Sequence, residues 1–341
     1  RITTLAGCLQ TMFEGAGPDL IGLAEVENER VAQQLLEAAG RDDYALVIPD
    51  HPSVTTAGTA LIYSRQVFDE AAVRAQSHLV HLRFPTCDIL EVSLKALANG
   101  SDLTVLVNHW PSRRETNSTA FRQTMASHCA RLVDRRVKMS RREYMELADT
   151  EVTRHQLADR WNSNLLLMGS LNDDPWADSI QNTLNAGYRL QAMRGPLPFP
   201  QQSLPSWRTY AACRPELFNP AWSLLARSDL TTVTDSSCQR RTGILDQIIL
   251  SRGLVLGQTG LCAQTTAAGI PQIQCPLADS DTDPLGNPIP FSCDTLDGVS
   301  DRLPVGMSFN VLPAAVTEAT DELTPEQVTG FPSPSQAPSA H

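Results

Sequence analysis

Apolar residues open the chain at helical spacing, with Ile2, Leu5, Leu9, Met12 and Phe13 on one face, and Gly15-Ala16-Gly17-Pro18 ends the run. A helix over Ile2–Phe13 is therefore predicted. A short apolar strand follows at Asp19-Leu20-Ile21-Gly22-Leu23 and runs into Glu25. Further runs rich in β-branched and aliphatic residues predict strands at Tyr44–Ile48, Thr59–Tyr63, Ile89–Leu94, Leu103–Asn108, Asn164–Met168, Ile244–Leu250 and Val305–Leu312. Between Thr119 and Trp161 the period turns helical, with Met125, Cys129, Leu132 and Val133 on one face. Many short strands with helices between them predict an α/β sandwich.

Two stretches, 196–239 and 258–299, are rich in Pro, Ser, Thr, Asp and Cys and show little periodicity, so they read as long loop insertions. From 313 to 341 the Thr/Glu/Pro/Ser bias predicts a disordered tail behind a single domain spanning 1–312. No run of about eighteen apolar residues is present, so no membrane span is expected.

The net charge of −11 opposes general affinity for nucleic acid, although four of the carboxylates (Glu318, Asp321, Glu322, Glu326) sit in the tail and leave the body only mildly acidic. The basic residues Arg131, Arg135, Arg136, Lys138, Arg141 and Arg142 read as the solvated face of the 119–161 helix, offset by neighbouring acids. Five of the eight cysteines (Cys213, Cys238, Cys262, Cys275, Cys293) crowd one loop-rich stretch. That distribution favours disulfides, with Cys213–Cys238 and one pair among the last three expected, against the alternative of buried inert thiols. A disulfide-bearing chain would be secreted, periplasmic or on the cell surface.

Four motifs stand in order, each at the end of a predicted strand, where a sheet collects reactive side chains. Ile21-Gly22-Leu23-Ala24-Glu25-Val26-Glu27-Asn28 delivers a carboxylate of the hard-oxygen type that suits Mg²⁺ or Mn²⁺. Val105-Leu106-Val107-Asn108-His109-Trp110-Pro111-Ser112-Arg113-Arg114 places a His beside two Arg, a combination able to bond phosphoryl oxygens and offset their charge. Leu165 through Gly169-Ser170-Leu171-Asn172-Asp173-Asp174-Pro175 is a buried strand leaving through Gly into a polar turn. The last motif is split between Gly243-Ile244-Leu245-Asp246-Gln247-Ile248 and Val299-Ser300-Asp301-Arg302-Leu303-Pro304. An Asp set among apolar strand residues is costly to bury without a partner.

In this order the motifs resemble the endonuclease/exonuclease/phosphatase superfamily, deoxyribonuclease-like phosphoesterases, and especially its bacterial exported members; the resemblance covers about residues 1–312. It implies a four-layer α/β/β/α sandwich of two mixed β-sheets flanked by helices. It also implies a metal-dependent phosphoester hydrolase, nuclease-like, using Mg²⁺ (or Mn²⁺), with nucleic acid among its candidate substrates. By the same resemblance Glu25 holds the metal, His109 contacts the scissile phosphate, and Asn172 orients the phosphate or the attacking water. Asp246 supports the geometry, and Asp301 pairs with a catalytic His or helps hold metal. Arg113 and Arg114 fit a phosphate clamp on physical grounds.

The chain departs from the family pattern at Ser170, where the family has Asp, and at Arg302, where it has His. A hydroxyl does not replace a carboxylate as general base, and a guanidinium does not titrate near neutral pH. The family also opens with a strand carrying a metal-coordinating Asn, which implies that the native protein extends upstream of Arg1, and Ala24 stands where Gln is common. The alternative reading is therefore a catalytically impaired member that binds a phosphorylated ligand or a partner protein.

Overall fold

A computed structural model describes residues 2–49, 58–80, 88–113, 117–226, 232–236, 239–267, 269–274, 300 and 302–313. The chain begins with helix α1 (Ile2–Thr11), strand β1 (Leu20–Val26), helix α2 (Glu29–Ala39) and strands β2 (Tyr44–Val47) and β3 (Gly58–Ser64). The three strands form an antiparallel sheet in the order β1-β3-β2. Asn28 caps α2 by accepting from Val31 N at 3.0 Å, and Gly40 ends it in the left-handed conformation, φ 63°. Its buried positions Ala32, Leu35, Leu36 and Ala39 follow the helical repeat. With Ala6 and Leu9 of α1 they cover the outer face of the sheet at Ile21, Leu23 and Ile62.

The turn that feeds β1 is fastened by a charged cluster. Arg41 donates to Asp43 Oδ1 at 2.7 Å and to Ala16 O at 2.6 Å, Ser64 Oγ donates to Asp43 Oδ2 at 2.5 Å, and Tyr44 donates its hydroxyl to Pro18 O at 2.6 Å. The Arg41 and Ser64 bonds hold the Asp43 carboxyl down at about 2. Because the folded value lies below the unfolded one, the stabilisation is complete above about pH 4 and disappears as the pH falls toward 2. Asp43→Asn is therefore expected to lower the urea midpoint at neutral pH, and the gap to the unaltered chain is expected to close over that acid window. A gap that stays constant down to pH 2 would contradict this assignment.

Next come β4 (Arg74–His78), β5 (Ile89–Lys95), β6 (Asp102–His109), helices α3 (Ser118–Val137), α4 (Arg141–Met145) and α5 (Glu151–Trp161), and β7 (Leu165–Ser170). They are followed by β8 (Ala186–Gly187), α6 (Leu190–Arg194), α7 (Trp207–Ala212), β9 (Leu217–Phe218), α8 (Trp222–Ala226), a hairpin of β10 (Thr232–Ser236) and β11 (Gln239–Gly243), and β12 (Asp246–Leu250). The large sheet runs β4-β5-β6-β7-β12-β9-β8 and is mixed, since β6/β7 and β8/β9 are parallel and the other pairs antiparallel. Helix α9 (Arg252–Leu256) and strands β13 (Leu261–Ala263), β14 (Ile273–Gln274), β15 (Gly306–Met307) and β16 (Phe309–Val311) complete the described chain.

Both faces of the large sheet are covered, which is why β5, β6 and β7 read as nearly continuous apolar runs. Leu90, Val92, Val105, Val107, Leu166 and Met168 meet Leu61 and Tyr63 of the small sheet. The alternate residues Ile89, Leu106, Leu165 and Leu167 meet Met125, Cys129, Leu132 and Val133 of α3. The four layers are thus helix, small sheet, large sheet, helix. One detail of the expectation is corrected: the small sheet is antiparallel throughout its described strands, not mixed.

Other boundaries also differ from the sequence reading. The 119–161 helix is three helices, because Ser140 and Glu143 form a capping box that starts α4 and Thr150 caps α5. The expected strand at 305–312 divides into β15, paired with β14, and β16, paired with β13. Within the expected loop at 196–239, α7 packs on a separate aromatic core of Tyr144, Trp161, Phe199 and Tyr210. Arg136 of the basic face is ion-paired with buried Glu91 of β5 and so serves the fold.

Cys129, Cys213 and Cys262 are free thiols, each pushed up from its ordinary pKa by burial. The expected Cys213–Cys238 bridge is not formed: Cys213, at the end of α7, turns its thiol to Thr209 O at 3.2 Å and Pro198 O at 3.3 Å. Cys238, Cys275, Cys293 and the tail at 314–341 lie outside the described residues. Among the described residues no helix is long and apolar enough to cross a membrane.

Candidate active site

The site is assembled by strand register. The parallel pairing of β6 with β7 sets His109 opposite Ser170, and the antiparallel pairing of β7 with β12 sets Asp246 opposite the same Ser170. Three residues distant in sequence thus lie on adjacent strands, roughly 4.8 Å from one to the next. The residue before Ser170 has to be glycine. Gly169 has φ 128°, and a Cβ there would lie 2.0 Å from Asn108 O of the neighbouring strand.

Arg302 is the hub of the site. Its Nη1 donates to Ser170 Oγ at 2.5 Å and to Asp246 Oδ1 and Oδ2 at 3.1 and 3.2 Å, and its Nη2 donates to Asn172 Oδ1 at 2.9 Å. Asn172 is itself fixed, buried and left-handed at φ 52°, with Nδ2 donating to Trp110 O at 2.6 Å. One guanidinium thereby joins three of the residues expected to do chemistry. Asp301, expected to pair with a catalytic His or to help hold metal, lies outside the described residues; the described carboxylate partner of Arg302 is Asp246.

Glu25 approaches from the small sheet. The pairing of β1 with β3 shifts register between Leu23 and Val26, and Glu25 takes φ 58°, so the bulge turns its carboxylate outward. Its Oε1 lies 3.7 Å from His109 Nε2, with the Glu25 side chain largely exposed and His109 mostly buried. A cavity of about 980 Å³ is lined on its polar wall by Glu25, His109, Ser170, Asp246 and Arg302, and continues past Leu20, Met168 and Phe309 between the sheets.

Arg113, expected as a phosphate clamp, braces the turn after β7. Its Nε donates to Asn172 O at 2.9 Å and its Nη2 to Asp174 Oδ2 at 2.6 Å. The reason is local: Asp174 and Asp173 follow Asn172 directly and offer the nearest carboxylates, and buried Arg122 takes Asp173 at 2.7 Å. Asp174 also accepts from Ile244 N at 3.0 Å, and Gln247 Nε2 donates to Asp173 O at 2.6 Å, which ties this turn to the start of β12. Asp173, Asp174, Arg122 and Gln247 were not singled out from sequence, although the acidic pair beside Asn172 was a visible signal. Arg114 lies outside the described residues.

A Mg²⁺ or Mn²⁺ ion finds few donors in this arrangement. Among the described residues no group of three or more His, Cys, Asp and Glu could hold a metal. Asp246 already answers a permanent cation, which leaves Glu25 as the described carboxylate turned toward His109. Glu25, the residue expected to hold the metal, thus stands beside His109 and outside any such group among the described residues.

A four-layer sandwich with His, Asn and Asp gathered at its strand ends defines a class of protein. The sequence matches the Endonuclease/Exonuclease/phosphatase family over residues 1–195, and the chain belongs to that family. No curated protein matches the sequence. Among solved structures, the chain is similar to D. rerio TDP2 complexed with single strand DNA product, at 12% identity over 86% of each chain and a TM-score of 0.46. It is similar to the endonuclease/exonuclease/phosphatase from Bacteroides vulgatus at 10% identity, covering 91% of this chain and 90% of that one, with a TM-score of 0.47. It is also similar to the human Nocturnin catalytic domain with bound sulfate anion, at 16% identity over 86% and 81% of the two chains, with a TM-score of 0.45.

Proposed function

We propose that this chain is a phosphoester-binding member of its family in which hydrolysis is severely impaired. The observation that carries the reading is the Arg302 guanidinium, bonded at once to Ser170, Asp246 and Asn172. A guanidinium keeps its proton throughout the physiological range and does not act as general acid or base there. Ser170 likewise offers no base, and the carboxylate of Asp246 is engaged by the cation. What the cluster supplies is recognition: a phosphoryl oxygen entering the cavity meets a fixed positive charge, an imidazole and an amide.

The test is titration calorimetry with bis(4-nitrophenyl) phosphate. Saturable binding by the chain is expected, weakened about tenfold or more by Arg302→Ala, because hydrogen bonds to charged groups contribute about 1.5–3 kcal/mol. Binding that Arg302→Ala leaves unchanged would remove the support for this reading.

A second reading, a working metal-dependent phosphodiesterase, is favoured by one observation. Glu25 and Asn172 both hold left-handed backbone conformations, a form of strain that clusters at functional sites. Under that reading hydrolysis depends on His109 and Glu25, and substitution of either abolishes it.

A further inference from the structure

Trp222 opens helix α8, and two other aromatic rings lie against it. Trp176 is 6.1 Å away at 65° and Tyr188 is 5.0 Å away at 49°, so the three rings are inclined to one another and do not form a flat plate. Trp176 is 47% exposed and Tyr188 54% exposed, and Leu225, one helical turn beyond Trp222, is 43% exposed. Single exposed apolar residues need no explanation. Several together, three of them aromatic and in contact, form a patch of the kind that marks an interaction site.

The chain carries a segment suited to this surface. Phe331-Pro332-Ser333-Pro334-Ser335-Gln336-Ala337-Pro338-Ser339 lies outside the described residues, and its sequence shows a pattern of period three. A polyproline helix has three residues per turn. On that repeat Phe331, Pro334 and Ala337 share one edge, Pro332 and Pro338 share the next with Ser335, and Ser333, Gln336 and Ser339 form the third. Two edges thus collect the apolar side chains, and one is wholly polar. Aromatic-lined surfaces are what such a helix docks on, because it is extended beforehand and gives up little entropy on binding.

Position and reach agree with this pairing. Helix α8 lies against β14, β14 pairs with β15, and Pro313 follows the end of β15 by six residues. Ala221 and Leu224, on either side of Trp222, share a hydrophobic cluster with Leu261, whose strand β13 pairs with β16. The described chain therefore ends in the neighbourhood of α8. Phe331 is 18 residues beyond Pro313, a length that spans up to roughly 60 Å, against a radius of gyration of about 20 Å for a domain of this size. A tether that short holds its end near the domain at an effective concentration in the mM range, so a contact of modest affinity is populated.

We propose that residues 331–339 dock as a polyproline helix on the Trp176, Tyr188 and Trp222 patch of their own chain. The docking is independent of the phosphoester-binding reading and survives its failure.

The test uses full-length chains and a fluorescein-labelled peptide of residues 329–341, followed by anisotropy. Replacing three prolines in the chain, Pro332→Ala, Pro334→Ala and Pro338→Ala, is expected to vacate the patch. The peptide is then expected to bind this triple variant about tenfold or more tightly than it binds the unaltered chain, whose own tail competes. Adding Trp176→Ala and Tyr188→Ala to the triple variant is expected to abolish binding, whereas adding Trp176→Phe and Tyr188→Phe is expected to keep it. A peptide with its own three prolines changed to Ala is expected to bind neither chain. Equal affinity for the two chains, binding that survives the alanine pair, or no saturable binding to the triple variant overturns the proposal. Sedimentation is expected to give the unaltered chain and the triple variant the same mass. A larger, concentration-dependent mass for the unaltered chain alone places the tail on a second copy and overturns docking within the chain.

Discussion

Exchanging Ser170 for Asp and Arg302 for His in one chain is expected to raise hydrolysis of bis(4-nitrophenyl) phosphate, with Mg²⁺ or Mn²⁺ present, by about 10²-fold or more. The expectation follows from what the two side chains now do. Arg302 holds Ser170, Asp246 and Asn172 in one network, so removing it frees an Asp and an Asn at the cavity wall. A His at that position supplies a group that titrates near neutral pH. An Asp at position 170 stands opposite both His109 and Asp246 and supplies a carboxylate able to take a proton from water. Either exchange alone is expected to gain little, because groups that act as a unit are strongly non-additive. His109→Ala in the double variant is expected to return the rate to baseline. A double variant as inert as the parent would show that Arg302 and Ser170 are not what limits this site.

Gly169→Ala is expected to be the most damaging single change to the fold, costing about 4 kcal/mol or more. The added Cβ would sit 2.0 Å from Asn108 O and 2.9 Å from Asn108 C, atoms of the neighbouring backbone rather than the end of a flexible side chain. The φ of 128° adds strain that no L side chain accepts readily. The clash falls between β6 and β7, the central parallel pair, so relief would require those strands to part and would displace Ser170 from His109. Loss of a cooperative urea transition, or a midpoint near zero denaturant, is the expected result, since a domain's whole stability is about 5–15 kcal/mol. A midpoint within error of the parent would refute the close approach.

Much of this architecture was legible in the chain. The strands carrying Glu25, His109, Ser170 and Asp246 were visible because a sheet buried on both faces writes long apolar runs into its strands, and each motif sat where its run ended. What periodicity could not show was pairing at a distance. The Arg302–Ser170 bond spans 132 positions, and nothing local to Val299–Val305 states which carboxylate the guanidinium meets. The contact of Arg113 with Asp174 was hidden for a related reason: a cation beside a His suits a phosphate equally well until the following turn is seen to bring Asp174 to it. Strand β4 went unread because Arg74-Ala75-Gln76-Ser77-His78 forms a partly exposed sheet edge with no apolar alternation to betray it. Strands β8 and β9, two residues each, are too short to carry a period.

The central claim is that Arg302 turns a phosphoesterase site into a binding site, and one measurement meets it directly. The chain as it stands is incubated with bis(4-nitrophenyl) phosphate and Mg²⁺ or Mn²⁺, and nitrophenolate release is followed beside His109→Ala. No release above the buffer rate by either protein is the predicted result. Turnover by the unaltered chain that His109→Ala abolishes would contradict the account.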